Sequence, residues 1–248
     1  MHSDKRIYAF LHYKLPNEPL IFVEVAFTKG MAPNIHELLD ESKKPIDPKE
    51  ADTAIFYSIT STQKGLKGIS FGNFLIKRVV NELSKEFVNL KFYATLSPIP
   101  YFRKWLENYL LNNDDVLTLK EGEKIKKIAK TFSANEGLLK ILDSNWYQFK
   151  GKTAAIKIPL LRLCSQYLVN ERKGGRAFDP VAHFHLSNGA KVQHINWMAD
   201  LSDKGLRQSA GMMVNYHYLL NKIVSNHEDY FSEGKVFASR EVRNLLVK

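Results

Sequence analysis

The chain has 248 residues, enough to bury a sizeable core, and its 44% hydrophobic and 25% charged content is that of a globular protein. No run is long and apolar enough to cross a bilayer, and MHSDKRIYAFLHY at the N-terminus lacks the apolar core of a secretion signal, so no membrane role is expected. The net charge of +10 suits an anionic partner, but the basic residues are dispersed; the densest cluster, KEGEKIKKIAK at 120–130, reads as a solvated helix face, which favours a small polyphosphate ligand over nucleic acid.

In chain order, residues 6–13 (RIYAFLHY) and 20–27 (LIFVEVAF) read as two strands joined by an LPNEP turn. Residues 43–52 carry two prolines and read as a loop, and 53–60 (TAIFYSIT) is a third strand. Glycines punctuate 65–72, and Phe74, Leu75, Val79, Leu83 and Phe87 then recur at helical spacing. Residues 90–96 (LKFYATL) form a fourth strand and 100–111 a helix, with Trp105, Leu106, Tyr109 and Leu110 on one face. The order strand, glycine loop, helix, strand, helix is a parallel βαβ unit followed by a helix.

The middle of the chain turns helical over 120–132, 135–142 and 153–169, with Pro159 kinking or starting the third helix. Cys164, the single cysteine, lies in the apolar run PLLRLCSQYL and reads as a buried, inert thiol with no disulfide partner. Asp179-Pro180 is an N-cap followed by proline at the first helical position, and Asn188-Gly189 ends that helix or makes a turn. Residues 191–197 (KVQHINW) alternate like a strand. Residues 211–224 read as a helix bearing Met212, Val214, Tyr216, Tyr218, Leu219 and Ile223, and 239–247 as a short closing helix. The expected fold is α/β (α+β): a mixed central sheet with a βαβα core and a helical insertion over about 112–187, within one domain spanning 1–248.

Three segments could carry chemistry. The loop Gln63, Lys64, Gly65, Leu66, Lys67 and Gly68 lies between a strand and a helix N-terminus, where free amides and the helix dipole favour phosphate; tight βα packing is the alternative use of its glycines. It is neither a P-loop nor GxGxxG. Ser97 precedes Pro98 and reads as a helix N-cap. It also ends a strand parallel to the one feeding the glycine loop, so it faces the same ligand crevice, and the two roles need not exclude each other. His183 and His185 flank Phe184; on a helix they point roughly 200° apart and cannot share a metal. His185 has Asn188, Asn196 and Asp200 as sequence neighbours, and Tyr218 reads as a packing residue.

Taken together, TAIFYSITSTQKGLKGISFGNFLIKRVV, LSPIPYFRKWL, PLLRLCSQYL, DPVAHFHLSNGA, INWMAD and GMMVNYHYLL resemble, in order and spacing, the catalytic domain of the malonyl-CoA decarboxylase family over 6–247. The resemblance implies a GNAT-like fold and the reaction malonyl-CoA + H⁺ → acetyl-CoA + CO₂, with no metal or organic cofactor because CoA is part of the substrate. It places the family's catalytic serine on Ser97, its catalytic histidine on His185, an active-site tyrosine on Tyr218 and the CoA pyrophosphate loop on Gln63–Gly68. Ser70 stands where some members carry a glutamate that assists the serine and histidine. The N-terminal helical domain that longer members use to oligomerise is not present in this sequence, which weakens the expectation of a homo-oligomer. Family members occur in cytoplasm, mitochondria and peroxisomes; with no transit segment and no peroxisomal signal in the terminal LLVK, a cytoplasmic location is expected. A GNAT-type acyltransferase using acetyl-CoA and a non-catalytic CoA-binding module are the alternative functions.

Overall fold

A computed structural model describes residues 3–62 and 72–246, with side chains from residue 76 in the second span. The glycine loop from Gln63 to Gly68, and Ser70, lie outside the described residues. The chain opens with β1 (Lys5–His12), β2 (Leu15–Thr28), α1 (Ile35–Leu39), β3 (Thr53–Ser61), α2 (Gly72–Glu86), β4 (Phe92–Thr95), β5 (Ser97–Pro98) and α3 (Phe102–Asn112). A mainly helical stretch follows: α4 (Leu119–Ala129), α5 (Ala134–Leu142), α6 (Lys150–Val169), the short strands β6 (Arg172–Lys173) and β7 (Arg176–Ala177), and α7 (Pro180–Ser187). The chain then returns to the sheet through β8 (Lys191–Asn196), α8 (Asp203–Ser209) and β9 (Met213–His217), and closes with α9 (Ile223–Glu233) and α10 (Arg240–Asn244).

Among the described residues the sheet has seven strands in the order β1-β2-β3-β4-β9-β5, with β8 also pairing β9. The β3/β4 pair is parallel, as a βαβ crossover through α2 requires. The pairs β1/β2, β2/β3, β4/β9, β5/β9 and β8/β9 are antiparallel, so the mixed sheet expected from the element order is present. The period of two sorts side chains between the faces. Ala54, Phe56 and Tyr93 join the main core with α2, whereas Ile55, Ala94 and Leu96 pack with Ala32, Ala199 and Met213 on the other side.

Two expectations need correction here. The LPNEP segment is not the hairpin turn. Leu15–Pro19 lie inside β2, the chain reverses at Tyr13-Lys14, and both prolines sit where the β1/β2 register is irregular or ends. A proline costs no ladder bond at such a position. Residues 211–224 are not one helix: Met213–His217 form β9, an interior strand between β4 and β5, and the helix begins only at Ile223. All five residues of β9 are buried, Val214 and Tyr216 on one face and Met213, Asn215 and His217 on the other, so neither face is a solvent-exposed polar one whose alternation would mark a strand.

The helical stretch is held by local capping and by one buried ion pair. Thr118 and Glu121 form a capping box at the start of α4, and the Glu121 carboxylate also accepts from Arg162 on α6 at 2.7 Å. Pro159 lies well inside α6, which starts nine residues earlier at Lys150, so it does not start that helix. Helix α7 begins as expected: the Asp179 carboxylate accepts from the amides of Val181 and Ala182 and, through its other oxygen, from the Tyr167 hydroxyl at 3.1 Å.

It ends at Asn188, and Gly189 follows at φ +79°, where an added Cβ would run into the carbonyl oxygen of Ile223 at the start of α9. Gly189→Ala combines left-handed strain with a backbone clash, and urea unfolding should show a loss of more than about 2 kcal/mol.

Candidate active site

The strand period decides which residues meet. Along β4 and β5, Tyr93, Thr95 and Ser97 alternate with Ala94 and Leu96, which belong to the smaller core on the opposite face. Along β9, Val214, Tyr216 and Tyr218 share the face of the main core, while Met213 and Asn215 look the other way. Ser97 pairs with Val214 and Ala94 with His217, so Thr95 and Ser97 lie on the same side of the sheet as both tyrosines.

Helix α7 lays His185 over this face. Ser97 Oγ lies 3.0 Å from His185 Nε2, and His185 Nδ1 lies 2.8 Å from the Tyr218 hydroxyl. The imidazole stacks on the Tyr216 ring at 4.6 Å between centroids. The Ser97 hydroxyl also donates to Thr95 Oγ1 at 2.8 Å, and Thr95 Oγ1 accepts the Tyr216 amide at 3.1 Å. On the reverse face the Asn215 amide nitrogen donates to the carbonyl oxygens of Thr95 and Ala32, and its oxygen accepts from Asn196. The amides of Asn188 and Ala190 both donate to the His185 carbonyl, so the end of α7 is pinned where the imidazole projects.

Every member of the cluster is buried, with Ser97 5%, His185 4% and Tyr218 1% exposed. Burial drives the His185 pKa from its ordinary 6.5 down to about 3, so the ring is neutral at physiological pH. The same desolvation holds the Tyr218 and Tyr216 phenols well above their ordinary range, so both keep their protons. The site is therefore a run of neutral hydroxyls around a neutral imidazole, and among the described residues the hydrogen-bond partners of His185 are hydroxyls rather than carboxylates.

The structure thus brings together Ser97, His185 and Tyr218, which lie far apart in sequence. Two local readings of these residues are overturned. Ser97 does not cap a helix: it lies in β5, and α3 starts five residues later with Tyr101 at its N-cap position. Tyr218 is not a helical packing residue but follows the last residue of β9. Sequence reasoning missed Thr95 and Tyr216; the alternation Thr95, Ser97 and Tyr216, Tyr218 was the available signal, and it becomes readable only once 213–217 is recognised as a strand. None of the side chains of Asn188, Asn196 and Asp200 bonds the His185 imidazole. Asn188 bonds the Phe184 carbonyl, Asn196 bonds Asn215, and Asp200 accepts from the Ser202 amide.

His183 points elsewhere, with Nδ1 2.8 Å from the Tyr230 hydroxyl, as the helical spacing required. Cys164 is buried and free, its thiol pushed well up by desolvation. Among the described residues no helix is long and apolar enough to cross a membrane, and no group of three or more His, Cys, Asp or Glu side chains is placed to hold a metal ion.

Residues 1–248 match the family model described as the malonyl-CoA decarboxylase C-terminal domain. The mitochondrial malonyl-CoA decarboxylase of Anser anser anser is 41% identical over 251 residues, covering 98% of this chain and 50% of the relative. The mitochondrial malonyl-CoA decarboxylase of Mus musculus is also 41% identical, over 255 residues and 51% of its length. The chain therefore spans about half the length of these curated relatives. The crystal structure of malonyl-CoA decarboxylase from Rhodopseudomonas palustris superposes with a TM-score of 0.88 at 43% identity, covering 98% of this chain and 53% of that one. That from Agrobacterium vitis gives 0.88 at 40% identity, covering 99% and 58%. On the match of its whole length and the likeness of its fold, the chain belongs to the malonyl-CoA decarboxylase family, to which it corresponds as the C-terminal domain.

Proposed function

We propose that this chain is a catalytic unit that converts malonyl-CoA to acetyl-CoA and CO₂, with Ser97, His185 and Tyr218 as its working residues. The observation that carries the reading is the buried hydrogen-bonded run Ser97–His185–Tyr218, assembled from β5, α7 and the end of β9 in a member of this family.

The chemistry needs little more. Loss of CO₂ from a malonyl thioester leaves an enolate whose charge is shared by the thioester oxygen and the α-carbon, so the substrate is its own electron sink. The protein must hold the carboxylate out of the thioester plane, stabilise the enolate and supply one proton. Ser97 hydrogen-bonds the carboxylate and fixes its rotation. His185, neutral in the free site, donates to the developing enolate or protonates its carbon, and Tyr218 orients the ring through Nδ1. The loop Gln63–Gly68, with Lys64 and Lys67, takes the CoA phosphates in this reading, and the positive net charge favours the polyanionic substrate. A cytoplasmic location belongs to the same proposal; the single buried cysteine calls for no oxidising compartment. Self-association is not needed for a site whose described residues all come from one chain.

The direct test incubates the chain with malonyl-CoA and EDTA, without an acceptor, and follows acetyl-CoA and CO₂ by mass spectrometry. Stoichiometric acetyl-CoA is expected; intact malonyl-CoA would leave a CoA-binding module, and turnover only with an added amine an acyltransferase. Ser97→Ala and His185→Ala should each lower kcat by roughly 10²–10⁴-fold with CoA affinity nearly unchanged, and Tyr218→Phe by about tenfold. Parallel losses of kcat and CoA affinity in His185→Ala would mark a structural role.

The depressed pKa of His185 also sets a pH dependence. Its folded value, about 3, lies below the ordinary 6.5, so as pH falls the unfolded chain takes the proton first and the fold loses stability through that window. His217, driven down to about 4 by burial and by Lys191, acts in the same direction. Urea midpoints should decline from pH 6.5 towards 4, at up to about 1 kcal/mol per pH unit for each imidazole, and the decline should be shallower in His185→Gln.

A further inference from the structure

We infer that Thr95 is a positioning residue that sets the direction of the whole hydrogen-bonded run, turning the Ser97 proton away from His185 and making His185 Nε2 a donor. The inference deepens the decarboxylase reading and rests on it for its consequence, though not for its geometry.

The direction follows from the Ser97–Thr95 bond, in which Ser97 is the donor. Ser97 has one hydroxyl proton, and it goes to Thr95 Oγ1 at 2.8 Å. The 3.0 Å contact between Ser97 Oγ and His185 Nε2 must then be donated by the ring. A neutral imidazole carries one N–H, so Nδ1 is the lone-pair nitrogen and accepts the Tyr218 hydroxyl at 2.8 Å. The run therefore reads Tyr218 O–H to His185 Nδ1, His185 Nε2–H to Ser97 Oγ, Ser97 O–H to Thr95 Oγ1.

Thr95 can hold this direction because it is itself fixed at both ends. Its hydroxyl oxygen accepts the Tyr216 amide and its carbonyl accepts Asn215. It is 1% exposed, so water does not compete for the Ser97 proton.

This polarity is the reverse of a serine nucleophile, whose hydroxyl gives its proton to the imidazole while the far ring nitrogen donates to a carboxylate. A Ser97 hydroxyl committed to Thr95 cannot hand its proton to Nε2, so attack on the thioester carbonyl is held back. A carboxylate is a stronger acceptor than the neutral Thr95 Oγ1, so bound malonyl-CoA draws the Ser97 O–H from Thr95 and meets a His185 N–H that is already a donor. Thr95 thus selects electrostatic stabilisation of an enolate over acyl transfer in a site that shares its serine and histidine, though not the carboxylate, with a hydrolase.

The test reads the tautomer directly. In protein labelled with ¹⁵N-histidine, with the His185 ring assigned by its loss in His185→Gln, the wild-type ring should carry its proton on Nε2; a proton on Nδ1 overturns the inference without recourse to any Thr95 variant. Thr95→Val should move the proton to Nδ1 and lower kcat at least tenfold with KM within about threefold, and Thr95→Ser should restore both. An Nε2 proton retained in Thr95→Val, or a failure of Thr95→Ser to restore, also overturns it. If wild type leaves malonyl-CoA intact while the tautomer behaves as stated, the decarboxylase reading fails and the role of Thr95 stands; if acetyl-CoA is formed while the ring proton sits on Nδ1, the reverse holds.

Discussion

Strand β9 is the constraint on which the site depends. Its five residues pair with β4, β5 and β8, so its register is set from both sides. That register presents the Tyr216 amide to Thr95, the Tyr216 ring to His185 and, one residue past the strand, the Tyr218 hydroxyl to His185 Nδ1. A slip of one residue would carry Asn215 and His217 to this face and remove every one of those contacts. The strand is buried along its whole length, which makes such a slip costly and the geometry stiff.

The second requirement is that an imidazole be brought to a buried face without a counter-charge. Helix α7 achieves this by satisfying its own ends. Asp179 takes up the first free amides and is held in turn by Tyr167, while Asn188 and Ala190 donate to the carbonyl of His185 itself. Desolvation then keeps the ring neutral, and neighbours that are hydroxyls rather than carboxylates do nothing to raise its pKa. Burying these polar groups is tolerable because Ser97, His185 and Tyr218 are hydrogen-bonded to one another or to Thr95; the Tyr216 hydroxyl is an exception, buried without a partner among the described residues. Its ring serves as a platform for the imidazole, a role that the hydroxyl does not share.

How far the sequence was legible depended on how local each signal was. The βαβ unit was readable because glycines and an amphipathic helix separate two short apolar strands whose parallel pairing follows from the crossover. Helix α7 was readable because Asp179, Pro180 and Gly189 mark its ends by backbone chemistry alone. The β1/β2 turn was misplaced because Pro16 and Pro19 resemble turn residues, yet both are accommodated within β2. Residues 213–217 were misread because a strand buried on both faces loses its alternation, and Tyr218 was misassigned with them. Ser97 before Pro98 carries a helix-start signature that the chain satisfies with a two-residue strand pairing Val214 and Met213. Each of these errors came from a contact made across the sheet.

The sequence alone determined the local facts: a mixed α/β chain with a strand–loop–helix–strand core, the boundaries of α7, the family to which the motifs belong, and the serine and histidine worth following. Backbone chemistry and residue type decide these within a few positions. Tertiary structure alone decided that Ser97 is a strand residue, that Tyr218 faces His185, and that Thr95 and Tyr216 complete the run of contacts. Those facts turn on which face of which strand meets which helix. That choice is made by contacts between segments 33 to 121 residues apart, where no local propensity reaches.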